Sequence, residues 1–172
     1  MFKKISLTVV LTLALVLFIA GMASASENYI YGSFGHNDSM FNFSGAMRFG
    51  HYGVELGLGG RSYPGMLDYA CPHTDYTIIN DHYDSLLLGV DLIRYFDLGE
   101  SCSIYVGAGV YLLGYEVLSQ SNATGWVYRE YTGAEGSFAY SYGLQFHQDE
   151  GFGIGAGYHS LRGYNLQMIF KM

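Results

Sequence analysis

The sequence predicts an all-β protein: an eight-stranded antiparallel up-and-down transmembrane β-barrel after a cleaved signal peptide. Three observations carry that expectation. Beyond Asn28, large apolar residues alternate with small or polar ones, the pattern of strands with two unlike faces. Eight such segments follow one another, with short turns alternating with longer connections, as in an up-and-down barrel with two unlike ends. The composition fits: 24 Gly, 17% aromatic residues and only 13% charged residues, where a quarter is usual for the last.

The first 25 residues stand apart. Lys3 and Lys4 form a positive n-region, Ile5 to Ala20 an apolar core, and Ala23-Ser24-Ala25 a small-x-small cleavage site. The expected organisation is therefore residues 1–25 as signal peptide and 26–172 as barrel. The chain has 8 Lys+Arg and 15 Asp+Glu. Removing the two signal lysines leaves 6 against 15, a formal charge of −9. That balance disfavours nucleic acid and any basic, anionic-lipid-seeking surface. After the signal no apolar run approaches the length of a membrane-spanning helix.

The elements follow in order. Asn28 to Phe34 is a first strand, and Gly35 to Met40 a polar loop. Phe41 to Arg61 is a hairpin: Phe41, Phe43, Gly45, Met47 and Phe49 share one face, Val54, Leu56 and Leu58 continue it. A His51-Tyr52 loop would set Phe49 opposite Val54, Met47 opposite Leu56 and Arg48 opposite Glu55. Tyr63–Tyr83 is expected to be a long loop. Asp84 to Phe96 is the fourth strand, turning through Asp97-Leu98-Gly99 into the fifth, Ser101 to Tyr115. Glu116–Glu135 is expected to be a second long loop. Gly136 to His147 is the sixth strand, Gln148-Asp149-Glu150 a turn, and Phe152 to His159 the seventh. Leu161-Arg162-Gly163 turns into the eighth, where Tyr164, Leu166, Met168 and Phe170 share a face and Ile169 breaks the pattern.

Two barrels fit eight such strands. A soluble lipocalin-like barrel that binds an apolar ligand would hold its large apolar face inside. A transmembrane barrel turns that face to lipid. Here the other face is mostly Gly, Ala and Ser with a few ionic residues, too bare for a water-facing surface and suited to a tight interior. The membrane reading therefore places Arg48, Glu55, Arg61 and Asp91 inside as a polar lumen network, joined by Gln145 and His159. Arg94 falls outside, at the short-turn end, where it can snorkel. An interior just filled by side chains makes a general porin an unfavoured reading.

The stretches IYVGAGVYLL (Ile104 to Leu113) and FGIGAGYHSLRGYNLQMIF (Phe152 to Phe170) resemble the small outer-membrane barrels of diderm bacteria, the OmpA, OmpX and opacity-protein type. The resemblance is architectural and covers Asn28 to Met172. It implies an outer-membrane location, the mature N-terminus in the periplasm, and long loops outside. It also implies recognition of the last strand by the barrel-insertion machinery, although this chain ends Phe170-Lys171-Met172 rather than on the aromatic residue. A membrane-structural or surface-interaction role is then expected. Outer-membrane lipid would surround a monomer, and an extracellular partner would meet the regions 63–83 and 116–135.

Some members of that family modify lipid A, so a deacylase or acyltransferase is the alternative, with His159 and Ser160 as its candidate residues. Adjacent strand residues face opposite sides, however, and a base must reach its nucleophile. Cys71, His73 and Asp75 form a Cys-x-His-x-Asp run of ligand types that borderline metals accept; a solvated acidic loop is the competing reading. No cofactor is expected. The two cysteines, Cys71 and Cys102, fall at opposite ends of the barrel and should not pair, since a disulfide needs its Cα atoms within about 7 Å.

Overall fold

The computed structural model describes residues 28–37, 40–147 and 151–171. The expected signal peptide and the Gln148-Asp149-Glu150 turn lie outside the described residues. Eight strands form a closed antiparallel barrel in sequence order: β1 (Asn28–Asn37), β2 (Met40–Phe49), β3 (Tyr52–Gly60), β4 (Tyr76–Asp97), β5 (Cys102–Ser121), β6 (Val127–His147), β7 (Phe152–His159) and β8 (Gly163–Lys171). β1 closes the ring against β8, from Tyr29 opposite Lys171 to His36 opposite Tyr164.

Parity decides which side is which. Large apolar residues of one parity point out: Phe43, Leu58, Leu92, Phe138 and Leu166 are exposed. The opposite parity packs inside around two clusters, Ala46, Ile93, Tyr95, Tyr105 and Ile169 in one, Met40, Leu87, Tyr111 and Ala139 in the other. Phe138 is 87% exposed on a strand whose neighbour Ala139 is 6% exposed. An apolar outside over a polar inside is the arrangement of a membrane barrel and the inverse of a lipocalin. Ile169 is 1% exposed, so it belongs to the inner face and breaks no pattern.

Two turns sit elsewhere than the sequence suggests. In the β2–β3 hairpin Phe49 faces Tyr52, Arg48 faces Gly53, Met47 faces Val54 and Ala46 faces Glu55. The loop is Gly50-His51, one residue earlier than expected, which moves the register by two. Gly50 has a φ of 56°, open to glycine at little cost in a tight hairpin, and the Arg48 Nε–H donates to its carbonyl at 2.7 Å. The shift is two residues, so faces are kept while every pairing changes. Arg48 and Glu55 are therefore not opposite one another. In the β4–β5 hairpin the register moves by four: Phe96 faces Ile104 and Asp97 faces Ser103. Asp97 is held in the strand by the Ser103 hydroxyl, which donates to it at 2.6 Å, and the loop becomes 98–101.

The larger difference concerns the two long loops. Glu116–Glu135 is mostly strand: β5 runs on to Ser121, β6 begins at Val127, and only residues 122–126 connect them. Likewise β4 begins at Tyr76, within the expected loop Tyr63–Tyr83. The strands β4, β5 and β6 have 22, 20 and 21 residues, whereas β7 and β8 have 8 and 9. A tilted strand crosses hydrocarbon in about 9–11 residues. The excess forms a three-stranded extension beyond the last pairs with β3 (Gly60 opposite Leu86) and β7 (His159 opposite Ser141). Alternation is weak there because the ladder is bulged, with register shifts between Ile78 and Leu86 and at Val117/Leu118. The extension stands at one end of the barrel; Asn28 of β1, Lys171 of β8 and the turns at 50–51 and 98–101 stand at the other.

Candidate functional site

Alternation aims every second side chain of each strand at the axis, and closure brings residues far apart in sequence within reach. The centre of the lumen is built on Asp91 from β4, Glu55 from β3, Tyr111 from β5, His159 from the end of β7, and Arg162 just before β8. The Arg162 guanidinium bonds the Glu55 carboxylate at 2.6 Å and the Asp91 carboxylate at 3.4 Å. Tyr111 donates its hydroxyl proton to Asp91. The backbone N–H groups of Leu161 and Arg162 donate to His159 Nδ1 at 3.1 and 3.2 Å. With that lone pair taken, the ring proton facing Asp91 sits on Nε2, 3.2 Å from the carboxylate. Asp91 and His159 are both 0% exposed. Asn42 fastens the turn from the other side, its amide donating to the Arg162 carbonyl at 3.1 Å.

Toward the turn end lies a second layer. Gln145 donates to Gln167 at 2.8 Å, and Gln167 donates to the Tyr105 hydroxyl at 2.8 Å. The Tyr105 ring lies so close to β6 that a Cβ on Gly143 would sit 2.6 Å from Cε1, which is why a glycine faces it. At the turn end itself Arg48 bonds Asp97 at 2.5 Å and Ser103 at 2.9 Å, and lies over the Tyr95 ring at 4.4 Å. His51 approaches Asp97 at 3.2 Å. At the opposite rim Arg61 donates from Nε to the Asp84 carbonyl at 2.5 Å and lies 4.3 Å over Tyr83.

The sequence-derived lumen residues Arg48, Glu55, Arg61 and Asp91 thus fall at three levels. Glu55 and Asp91 meet at the centre, while Arg48 and Arg61 stand at the two ends. The cation that joins Glu55 to Asp91 is Arg162, which sequence reasoning left in a turn. Its available signal was its rarity, since the chain has only 8 Lys+Arg. Arg94 stands outside at the turn end, over Tyr52 at 4.4 Å.

His159 and Ser160 are not brought together. His159 is committed to Asp91 within the lumen, whereas the Ser160 hydroxyl accepts the Tyr140 N–H at 3.1 Å on the outer side. Cys71, His73 and Asp75 do not converge either, and among the described residues no group of three His, Cys, Asp or Glu could hold a metal ion. The Cys71 N–H donates to Glu130 at 2.8 Å, and Asp75 accepts from the Asn122 side chain at 2.7 Å. Cys71 and Cys102 are free thiols; Cys71 lies against the extension, Cys102 opposite Phe146 at the turn end.

The extension is braced by the chain between β3 and β4. Leu67 adds to the edge of β6: its N–H donates to Val127 at 2.9 Å and its carbonyl accepts from Arg129 at 3.1 Å. Arg129 is ion-paired with Asp68 and with Glu116. Tyr69 packs edge-on against Tyr128 at 5.6 Å. His82 stacks on Tyr115 at 4.3 Å. This strap makes the extension a folded unit rather than a loose loop.

A closed eight-stranded antiparallel barrel with an apolar outside, an ionic filling and unequal ends is the architecture of small outer-membrane barrels. The chain matches the N-terminal β-barrel domain of Pseudomonas aeruginosa OprF with a TM-score of 0.52 and 14% identity, covering 86% of this chain and 98% of that one. It is also similar to Ail, the attachment invasion locus protein of Yersinia pestis (TM-score 0.46, 16% identity, 87% and 100% covered), and to Neisserial surface protein A (0.40, 14%, 84% and 92%). No family model matches the sequence, and no curated protein matches it significantly. At these identities the OprF likeness is one of fold.

Proposed function

We propose that the chain is an outer-membrane β-barrel whose work is structural and interfacial. The lumen is a bolt that holds the ring in register, and the β4–β6 extension is the part offered to other molecules outside the cell. The observation that carries this is the contrast between the two faces: Phe138 stands 87% exposed while Asp91 and His159 are 0% exposed within one ring. A band of outward apolar side chains is stable only against lipid. The filled interior has no room for bulk solute.

In this reading the turns and both chain ends lie in the periplasm, and the extension reaches outward. The outward residues Tyr164, Leu166, Met168 and Phe170 of β8 are the stretch through which the barrel-insertion machinery would take hold. A single barrel closes its own ring and needs no second copy. The reading is tested by placing a specific protease site in the 122–126 turn. Intact cells exposed to the protease are expected to yield the cut protein. Cutting only after the outer membrane is opened would refute the orientation, and recovery of the protein in a detergent-free soluble fraction would refute the membrane placement.

A further inference from the structure

The outer wall is not evenly covered. On β5–β8 a groove of about 420 Å³ is lined by Ile104, Tyr142, Leu144, Ala156, Tyr158 and Tyr164. Its floor is Ala156. The outward residues directly opposite it are Leu144 on β6 and Leu166 on β8, so one small residue between two leucines makes the depression. One end is walled by three tyrosines in contact, Tyr142 tilted against Tyr158 at 5.7 Å and Tyr158 edge-on to Tyr164 at 5.3 Å. Tyr142 opposite Tyr158 is the pair next to Ser141 opposite His159, where β7 ends. The tyrosines therefore mark the side of the extension, and the groove descends from them toward mid-wall.

We propose that this groove seats one acyl chain of a lipid in the leaflet next to the extension. The proposal rests on the membrane reading above and adds to it a defined site. Three features select the occupant. The groove is continuous with the lipid-facing apolar band, so hydrocarbon is what surrounds it. No ionic side chain lines it, which excludes a headgroup or an acidic or basic peptide from its floor. Its tyrosine end matches the level where amphipathic rings stand at a membrane interface, so a chain enters there with its headgroup left above. A methylene chain against Ala156 keeps the close contacts that a void would forfeit, and holds that lipid longer than its neighbours around the ring.

The test is photo-crosslinking in phosphatidylethanolamine and phosphatidylglycerol vesicles doped with a phospholipid carrying a diazirine on its acyl chain, followed by peptide mapping. In the wild-type protein, label is expected to be enriched several-fold on the 142–144 and 156–158 peptides over the lipid-facing residues of β2 and β3. Ala156→Phe and Ala156→Leu fill the groove and are expected to abolish the enrichment while leaving the rest of the labelling. Leu58→Phe, on the wall of β3, is expected to preserve it. The gel mobility of unboiled samples verifies that each variant is folded. Even labelling around the wild-type ring, or enrichment that survives both Ala156 variants, overturns the proposal. Absence of label on every strand, while a control membrane protein in the same vesicles is labelled, overturns the membrane reading and the groove with it.

Discussion

Arg162 stands between two carboxylates, Glu55 at 2.6 Å and Asp91 at 3.4 Å, and is 2% exposed. A buried pair adds little against an apolar substitute, but removing one partner leaves the other charge stranded. Arg162→Leu removes the cation that both carboxylates face, leaving Asp91 to Tyr111 and His159 and depriving Glu55 of its ion pair, and the expected loss of stability is about 3–5 kcal/mol. Glu55→Gln added to it removes the charge that Arg162 had balanced, so the double variant is expected to lose less than the sum of the single losses. Urea titration read by the folded-to-unfolded gel shift in detergent measures both; strict additivity would show that Glu55 and Arg162 are not coupled. Here the sequence was half legible. Parity alone aims Glu55 and Asp91 inward. Their partner lies in a turn 71 residues beyond Asp91, and only barrel closure brings it near. Tyr105 and Tyr111 had the inward parity too, but the glycines that make room for them belong to other strands, and a register is needed to match them.

At the scale of elements, faces were legible and lengths were not. A face repeats every two residues, so errors of two and four residues in the β2–β3 and β4–β5 registers left the parity of each strand unchanged. Lengths were lost where the environment ceases to be lipid. Beyond Leu86, Gly114 and Ala134, which lie at one level, both faces of the sheet meet water or the strap, so polar residues take both parities and the run reads as a loop. What replaces hydrophobic alternation there is local bracing, and Leu67 is a part of it that can be tested. Leu67→Pro removes the N–H that bonds Val127 and cannot be compensated by a side chain. The strap between β3 and β4 is expected to become sensitive to brief proteolysis in folded, detergent-solubilised protein, while the unboiled gel mobility of the barrel stays unchanged. A strap as resistant as the wild type would mean that the side-chain contacts Tyr69–Tyr128 and Arg129–Asp68 hold it without the backbone pair.

For the whole molecule, strand number and lumen filling act together. Eight strands enclose an interior that side chains just fill. This one places Tyr95, Tyr105, Arg162 and His159 across it, all nearly without exposure, tied by hydrogen bonds from β3, β4, β5, β7 and β8. A solute would have to break the Arg162–Glu55–Asp91 pairing and leave charges unpaired in a narrow space, a cost of several kcal/mol, with no compensating contact of its own. Liposomes carrying the folded protein are therefore expected to swell in an iso-osmotic solution of a small sugar no faster than protein-free liposomes, under conditions in which a general porin swells them at once. Swelling above that baseline would mean that the bolt opens in the membrane, and would move the lumen from structural filling to a solute path.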